Sequence, residues 1–212
     1  KWLPYSVART WHIQIGLFWI ATAWLAAGLF IGPLVSNREP AGQRFGVNVL
    51  FIALLVVVVG SLAGEWLSVK NYLTDEVSFY LGHQGYEYVD LGRVWQIGLM
   101  VGLLLWLVLM LRALWPALKG EGDQKQLVLL LAVSTGAIAL FYGAGLTWGQ
   151  HTHLTIVEYW RWWVVHLWVE GFFEVFATTV IAFIFMRLNL IRPRAAASAA
   201  LLSATVFLSG GI

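Results

Sequence analysis

The sequence has no cysteine and few charged residues, and both absences restrict what the chain can be. Without cysteine there is no disulfide, no thiolate metal site and no covalent haem attachment through a Cys-x-x-Cys-His motif. Charged residues make up only 11% of the 212 residues, whereas a typical soluble domain has about 25%. The formal net charge of +2 gives no indication of a nucleic-acid partner.

What remains is strongly apolar, with 60% hydrophobic residues and a mean hydropathy of +0.76. A chain of this composition cannot hide its apolar surface from water by folding on itself, so we expect lipid to be its solvent. The 13 tryptophans agree with this expectation, because tryptophan collects at membrane interfaces. Membrane lipid is therefore the first predicted partner.

Apolar stretches of about 20 residues are long enough to cross a bilayer as helices. Transmembrane β-strands would instead show alternating segments of about 10 residues. We predict an all-α fold, a polytopic transmembrane helix bundle with five full spans and a truncated sixth that begins near Ala195. The five predicted spans are residues 12–35, 45–69, 94–115, 127–148 and 156–186.

The connections between the predicted spans alternate in charge. Those after the first, third and fifth spans are rich in Lys and Arg, which is typical of cytoplasmic loops, so we expect the N-terminus of this segment on the outer face. We find no repeat and no linker, and residues 1–212 are predicted to form a single transmembrane bundle segment. The chain starts without Met and ends within an apolar run, so we expect it to be a fragment of a longer chain.

The fifth span carries ionisable residues where hydrocarbon is expected, and such residues are costly unless they have a partner. His166, Glu170 and Glu174 are spaced i, i+4, i+8, which places them on one face of an α-helix. One interpretation is a polar stripe that bonds to Ser, Thr or backbone of neighbouring helices. The other is an iron site, because a neutral imidazole and a carboxylate suit iron. Glu174 would then support the ligands or transfer protons.

Two other segments contain candidate ligands. His12, three residues after Arg9, is either an interfacial histidine or an axial haem ligand with an arginine nearby to meet a propionate. Glu87 and Asp90, in the loop after the second span, are either a solvated pair or oxygen ligands of calcium. Glu65, near the end of the second span, is interpreted as a capping or snorkelling residue.

Three stretches carry a family resemblance: HLWVEGFFEVF at 166–176, GHQGYEYVDLGR at 82–93 and RTWH at 9–12. They resemble the catalytic subunit of nitric oxide reductases, a branch of the haem-copper oxidase superfamily. The sequences of these stretches are more similar to the single-chain, quinol-dependent type than to the cytochrome c-dependent type. The resemblance covers essentially the whole chain.

The resemblance implies a role for each candidate residue. His166 matches a ligand of the non-haem iron, and Glu170 matches the glutamate that supplies or supports an oxygen ligand to it. Glu174 matches a buried acid that contributes to electrostatics or proton supply. His12 matches an axial ligand of the low-spin haem b, and Glu87 matches an acid that binds a calcium ion bridging haem propionates.

A contrast with related oxidases sharpens this assignment. At the position four residues after His166, related oxidases typically have a tyrosine that is cross-linked to a copper-ligand histidine. This chain has Glu170 there. We expect the family's His-His pair, which follows a Ser-Gly-Gly-like stretch, and the other haem ligands beyond Ile212, and we expect the soluble N-terminal region of the quinol-dependent type outside this segment. Asp90 stands where the family often has Glu.

The function implied is a denitrification enzyme of the bacterial cytoplasmic (inner) membrane. It would reduce two NO to N2O and water, with electrons from quinol, at a high-spin haem and non-haem iron centre. The remainder of the same polypeptide would supply the missing histidine ligands. Two alternatives stay open: a haem-copper quinol oxidase that reduces O2, and a proton-conducting transporter or channel without haem.

Overall fold

The computed structural model describes residues 2–85, 90–121 and 124–210, and these residues are almost entirely helical. A 3₁₀ turn, Tyr142–Leu146, follows α5, and a π-helix, Val164–Phe173, joins α6 to α7. The helices are α1 (Tyr5–Ser36), α2 (Gln43–Val69), α3 (Asp75–Leu81), α4 (Arg93–Lys119), α5 (Lys125–Phe141), α6 (Leu154–Trp163), α7 (Glu174–Arg187) and α8 (Pro193–Gly210).

Five helical units of the described chain are long and apolar enough to cross a membrane: Tyr5–Ser36, Gln43–Val69, Arg93–Lys119, Lys125–Leu146 and Leu154–Arg187. Each contains most of one predicted span, and the observed bounds differ from the predicted ones by at most seven residues. The sequence-based prediction of an all-α, multi-pass transmembrane bundle is confirmed. The end where α2 finishes and α4 begins is called the acidic end below, and the end where α1 and α4 finish is called the basic end.

Helix α4 is central to the bundle, since it packs against α1, α2 and α5. Its Trp106 is fully buried and donates its indole N–H to the carbonyl oxygen of Leu25 at 3.1 Å. The same indole packs against Phe176 of α7, with ring centroids 5.7 Å apart. Gly28 of α1 allows this approach, because a Cβ there would lie 2.9 Å from the Phe176 ring.

Glycines also bring α2 close to α4 at the acidic end. A Cβ on Gly60 would overlap the Trp95 ring, and a Cβ on Gly64 would overlap the carbonyl oxygen of Leu81. The Trp95 indole donates to that same carbonyl at 2.7 Å. Helix α3, whose first turn is capped by the Thr74 hydroxyl, is thereby held against the ends of α2 and α4.

Candidate functional site

Two of the three predicted site residues of the fifth span, His166 and Glu170, lie on a π-helix, which sequence periodicity did not predict. The wider i→i+5 turn of a π-helix is rare and is frequent at functional sites. Trp168 donates its indole N–H to the carbonyl oxygen of Ile138 at 2.5 Å, and Phe173 is buried against Trp24 and Trp168. These aromatic residues turn one side of the π-helix toward the bundle.

His166 and Glu170 come together within this segment. The Nδ1 atom of His166 lies 2.6 Å from Oε2 of Glu170, within hydrogen-bonding distance. The imidazole is stacked on the Trp162 ring, with centroids 4.6 Å apart and planes inclined by 25°. The histidine is therefore held from two sides, by a carboxylate and by an aromatic face.

Glu174 lies at the first position of α7 and is half-buried. In the part of the chain that the structure describes, no hydrogen bond or ion pair joins it to His166 or Glu170. The three residues thus do not form one continuous contact. The structure brings the first two together and leaves the third further along the segment.

The His166–Glu170 pair is less buried than the sequence led us to expect. The side chain of His166 is 30% exposed and that of Glu170 is 57% exposed, so the described residues leave this face open. Among those residues no group of three His, Cys, Asp or Glu side chains could hold a metal ion. The donor chemistry nevertheless fits iron, with one imidazole nitrogen and one carboxylate oxygen already adjacent.

His12 is exposed on α1. Ile15, Trp19, Ala23 and Ala26 follow it at helical spacing on the same side. That side continues into a shallow apolar groove, so an exposed imidazole beside apolar surface fits an axial ligand of a haem whose other side is covered elsewhere. The groove is lined by Ile15, Phe18, Trp19, Thr22, Ala23, Ala26 and Val58.

Two residues that sequence reasoning missed, Gln84 and Arg93, lie on either side of the acidic-end loop that precedes α4 and contact Trp148 and Gly145. The Gln84 amide oxygen accepts from the Trp148 indole at 2.9 Å, and its nitrogen donates to the carbonyl of Leu91 at 2.7 Å. The buried Arg93 guanidinium donates to the carbonyls of Gly145, at 3.1 Å, and Trp148. The GHQG and LGR stretches are the only sequence signal for this network, and they indicate a family motif without indicating its contacts.

Asp90 forms an ion pair with Arg161 of α6. Its carboxylate lies 3.4 Å from Nε of Arg161, which also pairs with Glu158. Burial raises the pKa of Asp90 above its ordinary range, although the positive charges of Arg161 and Arg93 act in the opposite direction. These pairs explain why a basic Arg161 lies at the acidic end. Glu87, the predicted calcium ligand, lies outside the described residues.

Glu65 was interpreted from the sequence as a capping or snorkelling residue, and this interpretation is wrong. Its side chain is fully buried, and neither carboxylate oxygen has a hydrogen-bond partner in the described part of the chain. The Gln14 amide and the Asp90 carboxylate are the polar groups that act on it electrostatically. Proximity to the helix end suggested an accessible position, but the close contact with α3 and α4 covers it.

Comparison with known proteins agrees with this architecture. Residues 2–212 match the family model described as Cytochrome C and Quinol oxidase polypeptide I. A curated relative from Stutzerimonas stutzeri, named as a nitric oxide reductase subunit, is 23% identical over 190 residues. The alignment covers 88% of this chain and 38% of the relative, so the chain spans less than two fifths of that protein. The chain therefore belongs to the cytochrome c and quinol oxidase polypeptide I family, the haem-copper oxidase family of membrane oxidoreductases that use haem and metal cofactors.

Proposed function

We propose that the chain is a segment of a membrane nitric oxide reductase that reduces two NO molecules to N2O and water with electrons from quinol. The observation that carries this proposal is the contact between His166 and Glu170 on the open side of the π-helix. An imidazole nitrogen beside a carboxylate oxygen is a harder donor set than one of nitrogen ligands alone, and it favours iron. The relative named as a nitric oxide reductase subunit supports the same branch of the family.

His166 and Glu170 would hold the non-haem iron, with Trp162 keeping the imidazole plane fixed. When bound, a high-spin haem and this iron would supply electrons and Lewis acidity to two NO molecules held close together. The hydrogen bond from the Trp168 indole to the carbonyl oxygen of Ile138 holds the π-helix against α5.

Conversion of two NO to N2O and water consumes two electrons and two protons. We assign the delivery of those protons to Glu170 and Glu174. Glu174 lies further along the segment, toward the basic end, and is half-buried. It would therefore hold a proton away from the ligands and pass it toward Glu170.

The other candidate residues are assigned from their positions and the resemblance. His12 would be an axial ligand of a low-spin haem b lying along the apolar groove of α1. Glu87 would bind calcium beside the haem propionates. The remaining histidine ligands would come from the rest of the same polypeptide, covering the open side of the π-helix. The acidic end would face outward from a bacterial cytoplasmic membrane.

Replacement of Glu170 by Ala in the intact enzyme tests the proposed ligand role. We expect iron content and NO turnover to fall at least tenfold, a loss typical of disrupted metal sites. Glu39→Ala, which removes an exposed acid from the connection between α1 and α2, is the matched control and should leave both values unchanged. Undiminished turnover with full iron content in the Glu170 variant would refute the assignment.

Metal analysis of the intact protein separates this function from O2 reduction by a quinol oxidase of the same family. A reductase should contain non-haem iron and no copper, since Glu170 provides an oxygen donor. Stoichiometric copper together with O2 consumption would favour the oxidase.

A further inference from the structure

A cleft at the basic end of the bundle lies between the α1–α2 connection and the last turns of α4. Its volume is about 550 Å³, within the range of about 300–1,000 Å³ found for small-molecule sites. It lies far along α4 from the acidic-end loop and has no residue in common with the proposed iron site. The cleft is lined by Arg38, Pro40, Ala41, Leu111, Arg112, Trp115 and Pro116.

Two guanidinium groups face this cleft. Arg112 donates from Nη2 to the carbonyl of Ala41 at 2.7 Å, which fixes its position on the cleft wall. The side chain of Arg38 is exposed and has no hydrogen-bond or ion-pair partner among the described residues. Lys119 adds a third positive charge, with Nζ 5.0 Å from the Trp115 ring centroid. Glu39 is the neighbouring acid, and it pairs with none of them in the described chain.

An apolar track on α4 leads from the middle of the bundle to this basic cleft. Val101, Leu104, Val108, Leu111 and Trp115 follow one another at alternating spacings of three and four residues, which places them on one helical face. Val101, Val108 and Trp115 are each more than half exposed. At 1.5 Å per residue the track is about 21 Å long, compared with about 15 Å for half of a bilayer's hydrocarbon core.

We propose that the cleft binds one anionic phospholipid, with its phosphate between Arg38 and Arg112 and an acyl chain along the apolar track. Basic pockets between membrane helices bind anionic headgroups in this way. Trp115 lies where the track meets the cations, at the level that tryptophan prefers in the headgroup region. The combination of two cations, an interfacial ring and an apolar face longer than half of the hydrocarbon core matches a lipid better than a free anion.

The experiment is a lipid titration of the intact purified protein, followed by native mass spectrometry. Phosphatidylglycerol is compared with phosphatidylcholine for the wild type, for Arg38→Gln and for the double variant R38Q/R112Q. A loss of roughly fivefold in phosphatidylglycerol affinity is expected for each arginine, hence about twenty-fivefold for the pair. The double variant K125Q/R192Q removes two charges from the same end outside the cleft and should bind as the wild type does.

The single variant keeps the test valid if loss of the Arg112 hydrogen bond disturbs folding, because the exposed Arg38 side chain has no hydrogen bond or ion pair to lose among the described residues. Equal phosphatidylglycerol affinity in the wild type and R38Q/R112Q would overturn the proposal. So would wild-type binding of phosphatidylcholine as tightly as phosphatidylglycerol. Inorganic phosphate bound as tightly as the lipid would show that the site takes a free anion instead.

Discussion

Gly64 is the position where a single methyl group should have the clearest effect on the bundle. A Cβ there would overlap the carbonyl oxygen of Leu81, lie 3.0 Å from its carbonyl carbon and lie 3.4 Å from Nε1 of Trp95. The clashing atoms belong to the backbone of Leu81, the last residue of α3, and its carbonyl oxygen already accepts a hydrogen bond from the Trp95 indole. Relief of the overlap therefore requires α3 to move away from α2 and breaks that hydrogen bond.

The expected change in the free energy of unfolding for Gly64→Ala is the sum of three contributions. Overpacking costs about 1–3 kcal/mol, and loss of the hydrogen bond costs about 1 kcal/mol. Alanine regains about 1 kcal/mol through its higher helix propensity. The net loss in the free energy of unfolding is therefore about 1–3 kcal/mol, and the corresponding drop in Tm for a chain of this size is roughly 2–12 °C.

The assay is thermal unfolding of the purified protein in detergent, with Gly136→Ala as the control. Gly136 lies inside α5, and a Cβ there would have no atom within 4 Å. The control should be neutral or stabilised by up to about 1 kcal/mol. A Gly64→Ala protein with Tm equal to or above that of the wild type would show that α2 and α3 are not held in the contact described.

Three further predictions concern the acidic-end loop and the π-helix. Burial lowers the pKa of His83 below its ordinary 6.5. The unfolded chain therefore takes up the proton first, and the free energy of unfolding should fall as the pH drops below 6.5. Unfolding measured as a function of pH should show this loss in the wild type and not in His83→Gln. Trp168→Phe removes the indole donor to Ile138 and should lower the free energy of unfolding by about 1–3 kcal/mol in a denaturation assay; an unchanged midpoint would contradict the anchoring role. Arg93→Met leaves buried carbonyl groups without their donor, and limited proteolysis should cut the loop before α4 faster than in the wild type.

The sequence by itself determined the fold class and the five helical units that are long and apolar enough to cross a membrane. Long uninterrupted apolar runs leave only helices as a way to satisfy backbone hydrogen bonds in lipid, so these units could be located to within seven residues. The positions of His166 and Glu170 as neighbours were also predictable, since an i, i+4 spacing brings side chains together on a helix. Their contact confirms that part of the reasoning.

Only the tertiary structure decided which charged groups are covered and by what. The burial of Glu65, the pairing of Arg161 with Asp90 and the anchoring of Arg93 depend on contacts between segments distant in sequence. The π-helix likewise could not be read from the local sequence, and its Trp168 and Phe173 pack against Tyr142 and Trp24, which are distant in sequence. Hydropathy reports how deeply a residue lies in the membrane, but it carries no information about which side of a helix another helix covers.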